Sequence, residues 1–440
     1  MTEAALINRL DAADIFPAYG RVNHVAATHV EADGPLSALG ALCRIEGWGG
    51  GEIVAEVTGV SAERVTLVPL HSGTALRPGD RVVALRDNGR ILVGDGFAGR
   101  AVDALGRPID SAGPIAMEGV TEAFAPLTAI LDRVSPSQSL ATGVRAIDGL
   151  LPIGIGQRIG IFAASGVGKT RLMEQLAHQV DCDHVIICQV GERGREVESL
   201  WTDLQNSVRA TTATLVAATS DESAPMRVRA VEQALALAGN WRAKGRHVLL
   251  FIDSVTRLAM ALREIGLASG EPPTVRAYTP NVLRALPQIV ERCGAIRSGG
   301  AITAVFTVLA ETDDVDDPIV EVMKSLLDGH IVLSRGLAQI GHYPAIDVGR
   351  SISRLASRVA TLEHHQAAGR ALAMLGTYEE ARVLVESGLY AAGSDGAIDV
   401  AISARPHLRD FLQQSSDLCS TWDETLVCLS RLTSEEATYG

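Results

Sequence analysis

Lys169 and Thr170 close the run Ala163-Ala-Ser-Gly-Val-Gly-Lys-Thr170, and this spacing is suited to phosphate capture. Backbone N–H groups of Ser165, Gly166, Val167 and Gly168 can curl around phosphate oxygens, and the start of a helix at Lys169 adds a partial positive charge. Lys169 would reach the β- and γ-phosphates of a nucleotide, the Thr170 hydroxyl would ligate Mg²⁺, and Arg171 would sit beside it. The pattern G-x-x-x-x-G-K-[ST] is broken once, because its first glycine is Ala163. Taken alone, the loop leaves a chance glycine-rich turn as the other reading.

Two carboxylates extend the same chemistry. Val248-Leu-Leu-Phe-Ile-Asp253 is an apolar strand ending in an acid, about eighty residues after the loop, where Asp253 would hold the Mg²⁺ shell. An aspartate that only caps the next helix is the alternative. Glu192, in Gln189-Val-Gly-Glu-Arg-Gly-Arg-Glu-Val197, follows another apolar run. It is expected at the tip of a strand neighbouring the P-loop, positioned to orient and polarise a water facing the γ-phosphate. Otherwise it is a solvated charge in a polar loop.

The elements that must position these groups follow from hydrophobic pattern. Arg158–Ala163, His184–Val190, Thr214–Ala217, Val248–Asp253, Ala301–Leu309 and His330–Leu333 read as strands. Helix-length segments such as Lys169–Gln179, Met226–Lys244 and Val282–Cys293 lie between them. That alternation predicts a mostly parallel sheet covered on both faces, with its ligand at the carboxyl ends of the strands. Before it, short β-rich runs (Ala41–Ile45, Glu52–Val57, Arg64–Leu70, Arg81–Leu85) separated by glycine turns predict a small antiparallel barrel. After about residue 360, four helices are expected at Ala367–Leu375, Tyr378–Ser387, Asp395–Ser403 and His407–Gln414. The expected divisions are an N-terminal segment 1–20, a barrel 21–95, a core 96–360 and a helical domain 361–440.

A chain of 440 residues exceeds one ordinary core. Hydrophobic residues make up 47% and aromatics 4%, and no apolar run reaches the length of a membrane span. The N-terminus lacks a signal-peptide pattern, and six scattered cysteines without C-x-x-C spacing are expected to be small buried hydrophobes in a reducing, cytoplasmic compartment. A net charge of −13 argues against a long polyanion, so no nucleic-acid partner is expected.

The segments GERGREVE (191–198), DSVTRLAMALREIGLASGEPP (253–273), DGHIVLSRGLA (328–338) and HYPAIDVGRSISR (342–354) together resemble the flagellum-specific and injectisome ATPases of type III protein export, relatives of the catalytic subunits of rotary ATP synthases. The likeness runs from Gly99–Ile109 to Tyr390–Asp399, and Ala163 in place of glycine is itself a mark of the export branch. The resemblance implies an α/β RecA-like P-loop ATPase core with an N-terminal small β-barrel and a C-terminal helical domain. It implies that Glu192 is the catalytic glutamate, that Arg193 and Arg257 contact the phosphates, and that Tyr343 packs on adenine. Arg354 would be an arginine finger offered across a subunit boundary in a homohexamer. Core packing for Tyr343 and an ion-paired helix position for Arg354 are the plainer readings.

Glu3–Ala13 reads either as a short helix with Ala5, Leu6 and Leu10 on one side or as a frayed tail; partners implied by the resemblance are a stator-like regulatory protein at that segment, a central stalk-like protein, export-gate membrane proteins, and export substrates with their chaperones. The implied location is cytoplasmic, peripheral at the inner-membrane export apparatus. Ala164-Ser-Gly-Val-Gly-Lys is closer to the flagellar wording than to the Ser-Ala-Gly-Cys-Gly-Lys tendency of injectisome forms. An injectisome ATPase, a rotary synthase subunit, a non-catalytic nucleotide-binding subunit and an RNA translocase are the competing readings. Thr279, Asn281 and the segment Ala310–Asp314 depart from the usual export-family residues near the central channel.

Overall fold

Alternation of apolar and polar residues builds the first unit. In the computed structural model, which describes residues 19–71, 75–85, 90–121, 128–297, 299–310 and 317–434, the antiparallel strands Tyr19–Val25, Val30–Ala32, Leu42–Glu46, Glu52–Val60, Val65–Pro69 and Arg81–Ala84 close into a barrel. Pairing Cys43 with Ala55 and Ile45 with Ile53 turns one side of each strand inward, where Val57 and Leu67 complete a dry interior. The strands Tyr19–Val25 and Val30–Ala32 add to those expected from sequence. The expected helix Glu3–Ala13 and the residues Glu311–Asp314 lie outside the described residues.

The second unit is a twisted sheet with the order Ile346–Ser353, Gly329–Leu333, Arg158–Ala163, Ala301–Leu309, His247–Asp253, His184–Val190, Ala213–Ala218 and Ala101–Asp103. Pairing along that path is parallel except at the edge strand Ile346–Ser353. Successive side chains point to opposite faces, and both faces are apolar because helices cover both. Ile159, Ile161, Leu249 and Phe251 enter one core, against Leu172, Met173 and Leu176 of the helix Lys169–Gln179. Phe162, Leu250, Ile252 and Phe306 enter the other, against the helices Ala224–Ala243, Val255–Ala268 and Pro280–Glu291.

Helix Ala224–Ala243 also holds the barrel. The Arg229 guanidinium donates to Glu56 and to the Gly40 carbonyl, the latter at 2.7 Å, and Ser269 Oγ on the next helix donates to the Thr58 carbonyl at 3.0 Å. Thr279 and Asn281, the unusual residues near the expected channel, lock two helices together. Thr279 Oγ1 donates to Asn281 Oδ1 at 2.6 Å, and Asn281 Nδ2 donates to the Leu262 carbonyl at 2.8 Å.

The C-terminal unit corrects the expected helix count. Leu362–Glu386 is one helix that runs through Gly376, and Gly396–Leu412 is one helix that contains Pro406. A third helix, Trp422–Leu432, starts with a capping box in which Thr421 and Glu424 satisfy each other's backbone N–H groups. Ala371, Leu408, Phe411 and Leu429 pack with Ile147 and Leu150 on the P-loop face of the sheet. Cys43, Cys182, Cys188 and Cys293 are buried as expected, whereas Cys419 is exposed and Cys428 half-buried. Among the described residues no helix is long and apolar enough to cross a membrane.

Candidate active site

Strand Arg158–Ala163 delivers the chain into the loop, and left-handed backbone at Gly166 (φ 79°) and Gly168 (φ 94°) turns it into the helix beginning at Lys169. L side chains rarely adopt that conformation, so glycine is required there. The Val167 side chain is buried beneath the loop, leaving only its backbone for a ligand. Ala163 is fully inside the sheet, and its carbonyl accepts from Ala310 N–H at 3.0 Å. A methyl group is thus accommodated where the general pattern has glycine.

The loop opens on a cleft of about 1230 Å³. Lys169 Nζ donates to Asp253 Oδ1 and lies 3.8 Å from Glu192 Oε1. Asp253 is also gripped by the Thr307 hydroxyl at 2.5 Å and by Gln189 Nε2 at 3.3 Å. It is not the cap of the following helix, since Ser254 Oγ takes that role by accepting from Arg257 N–H at 3.4 Å. Arg257 faces Glu192 with two donors, Nε at 3.1 Å and Nη2 at 3.3 Å.

Glu192 is 6% exposed, which removes the reading of a solvated loop charge. Burial pushes its carboxyl above the usual carboxylate range; Lys169 draws it back, Asp253 pushes it up again, and Arg257 draws it down. Its strand is not beside the P-loop strand, as sequence had suggested. Ala301–Leu309 and His247–Asp253 lie between them. Glu192 nevertheless meets Lys169 because both project over the carboxyl edge of the sheet, where all four strands end. Exposed Arg193 lines the same cleft and precedes the helix Gly194–Gln205.

Thr170 is exposed at the cleft wall. The Tyr343 ring lies over the loop, so that a Cβ on Gly168 would be 3.4 Å from it, and 37% of the residue is exposed. This is a platform at the edge of the cleft, not a core aromatic. The donor set of Thr170 hydroxyl and Asp253 carboxylate is hard oxygen, which fits Mg²⁺.

Arg354 is the predicted site residue that the chain does not bring to the loop. Its backbone N–H donates to the Asp328 carbonyl at 3.0 Å, and Nη2 donates to the Lys324 carbonyl at 3.0 Å. Asp328 pairs with Arg158, at the opposite end of the P-loop strand from Ala163. Ala163 is level with Leu333, and Ser353 with Gly329. Those four residues of strand put Arg354 about 13 Å behind the loop. Exposed and bonded only to carbonyls among the contacts described, it faces outward from the sheet's edge.

Sequence reasoning passed over Thr307 and Gln189 as partners of Asp253. It also passed over the loop between the last two helices. Arg171 Nε and Nη2 donate to Ser416 Oγ at 3.0 and 2.9 Å, and Gln179 Nε2 donates to the Ser416 carbonyl at 3.1 Å. Buried Gln414 donates to the Gly143 and Leu418 carbonyls, both at 2.7 Å, while its Oε1 accepts from Arg145 N–H at 2.9 Å. A polar run some 245 residues from the P-loop carries no sequence signal of that contact.

A parallel sheet with a P-loop, a buried acid facing the loop lysine and a second acid ending a neighbouring apolar strand define a RecA-like P-loop nucleotide hydrolase. The nucleotide-binding domain of the ATP synthase alpha/beta family matches residues 143–353, and the C-terminal domain of the type III secretion ATPase EscN matches residues 360–431. The flagellum-specific ATP synthase of Bacillus subtilis is 41% identical, covering 99% of this chain and 100% of its own length. A type 3 secretion system ATPase of Pseudomonas syringae pv. tomato is likewise 41% identical, over 99% of this chain and 97% of its own. The assembled ATPase EscN from enteropathogenic E. coli superimposes with a TM-score of 0.89 at 38% identity, covering 94% of this chain and all of that one. The chain belongs to the ATP synthase alpha/beta family, among its flagellar and type III secretion ATPases.

Proposed function

We propose that this chain hydrolyses ATP to ADP and phosphate to drive protein export through a flagellar type III apparatus. The observation that carries the chemistry is the charge-paired set at the cleft: Lys169 on Asp253, with Glu192 between Lys169 and Arg257. Incoming β- and γ-phosphates compete for Lys169 and draw it from both carboxylates. Asp253, steadied by Thr307 and Gln189, is then free with Thr170 to hold Mg²⁺. The ion, when bound, neutralises phosphate charge. Glu192 is released to orient a water and take its proton, a task suited to a carboxyl that burial makes more basic. Arg257 and Arg193 stand where charge spreads over the γ-phosphoryl, and Tyr343 offers its face to adenine.

Arg354 reaches a site only in a neighbouring copy, which supports a homohexameric ring with shared sites. The solved relative in complex with its central stalk EscO, at a TM-score of 0.86, supports a stalk-like partner in the ring's centre. A stator-like protein, export-gate components, chaperones and substrates complete the proposed setting, at the cytoplasmic face of the inner membrane. An injectisome role is the second reading, favoured by secretion-system relatives at the same identity as the flagellar ones.

The test is genetic. The gene is deleted in the source bacterium, wild type or Glu192→Gln is restored, and extracellular flagellin and swimming are scored. Rescue of both by wild type alone is expected. Flagellin export untouched by the deletion would refute the flagellar role and turn the question to injectisome secretion.

A further inference from the structure

The nucleotide cleft has a neighbour. A crevice of about 20 Å³ opens beneath Tyr343, bounded by Leu172, Leu333 and Pro344. The crevice is far too small for a purine, so a base would rest against the exposed side of Tyr343, whereas the large cleft begins at the phosphate loop. Gly168, Arg171, Gln175 and Ser416 line both. A nucleotide with its triphosphate at Lys169 and its base against Tyr343 would lay its sugar along that shared wall.

The chemistry of the wall fits a sugar. Gly168 has no side chain, and Gln175 is buried with its amide turned to Gln179 at 3.3 Å. Ser416 Oγ accepts twice from Arg171, which uses up its two lone pairs and leaves its O–H to donate. The nearest acceptor for that proton is Asp417 Oδ1, at a long 3.4 Å. Asp417 is exposed and lines the cleft. A hydroxyl lying there accepts from Ser416 and donates to the Asp417 carboxylate, completing both.

Resting on the assignment of ATP to this cleft, we propose that Ser416 and Asp417, on the loop between the last two helices, read the ribose hydroxyls of the nucleotide and set its preference for ribonucleotides. Arg171 is a positioning residue that fixes the Ser416 hydroxyl. The C-terminal helical unit therefore contributes directly to substrate choice.

The test uses the full chain with Mg²⁺, measuring phosphate release with ATP and with 2′-deoxy-ATP or 3′-deoxy-ATP. A hydrogen bond to a charged group sets the scale, so wild type is expected to show a KM about 10-fold higher for at least one deoxy analogue. Asp417→Ala and Ser416→Ala should raise KM for ATP and bring that ratio towards one, with kcat held within about threefold. Ser416→Thr, which keeps the hydroxyl, should retain the ratio. Equal KM values for all three nucleotides in wild type, or an unchanged ratio in both alanine variants, would overturn the proposal. If wild type turns over no nucleotide, the hydrolase reading fails by itself, and the same ratio taken from calorimetric Kd values decides the ribose question.

Discussion

Glu192→Gln separates binding from turnover, and the size of each effect follows from the charge pairing at the cleft. The amide keeps the shape of the side chain but cannot accept a proton from water at neutral pH. Loss of a positioned general base slows turnover by about 10²–10⁴-fold. Binding should move the other way. Glu192 lies 3.8 Å from Lys169 Nζ, an attraction of about 4 kcal/mol at an effective dielectric near 20. Phosphates must overcome that attraction to capture Lys169. Asp253 still holds the lysine in the variant, and the cleft is open to water, so about 1–2 kcal/mol of the gross figure is expected as a gain. That corresponds to a Kd for ATP lower by roughly 5- to 30-fold. Calorimetric titration with Mg-ATP gives the affinity, and phosphate release gives the rate. Turnover within threefold of wild type would remove Glu192 as the base. Weaker binding in the variant would refute the competition between carboxylates and phosphates.

Arg354→Ala should reduce turnover by about 10³-fold or more while leaving ATP affinity intact, and mixing it with Glu192→Gln should restore part of the activity; no recovery at any mixing ratio contradicts a shared site. At the barrel junction, burial and then Glu56 push the Glu232 carboxyl up to about 7, against the pull of Arg229 and Arg292. A raised carboxyl pKa means the folded state holds the proton more tightly than the unfolded one, so this contribution is full below the ordinary carboxylate range and is lost as pH rises through about 7. Glu232→Gln should therefore raise Tm relative to wild type at pH 8 and gain little at pH 5; equal gains at both values in thermal scans would contradict the assignment. Gln414→Ala takes the side-chain acceptor from the part-buried Arg145 N–H and one of two donors from the Gly143 carbonyl, which keeps Ser420 N–H at 3.1 Å, a loss of about 1–3 kcal/mol. Each kcal/mol should lower Tm by roughly 2–4 °C, and an unchanged melting curve would show that the loop is held elsewhere.

Strands buried on both faces announce themselves. Arg158–Ala163, His184–Val190 and Ala301–Leu309 match their expected bounds because a short apolar run rich in Ile, Val and Phe has few other solutions. The order of those strands in the sheet was not legible, and Glu192 was accordingly placed one strand from the loop when it is three. Helices split too readily at punctuation. Gly376 is exposed, where it costs about 1 kcal/mol relative to alanine and no more, and tertiary packing carries the helix past Pro406. Gly194–Gln205 was overlooked because its charged start drew attention to chemistry, although Val197, Leu200 and Leu204 recur at helical spacing. Lys169, Asp253 and Glu192 were legible by residue type and setting. Thr307, Gln189 and Ser416 were not, since a hydroxyl or an amide acquires its meaning only from what the fold sets beside it.

The outward setting of Arg354, behind its own phosphate loop, makes the sheet's two ends unequal in kind. One end of the strands carries the phosphate loop, and the other carries an arginine that cannot reach that loop in its own chain. If Arg354 completes a neighbour's site as proposed, an isolated chain would hold ATP and turn it over slowly, and consumption would begin when copies meet. On that proposal a dispersed pool of the protein would not drain ATP, because the place of assembly would also be the place where fuel is burned.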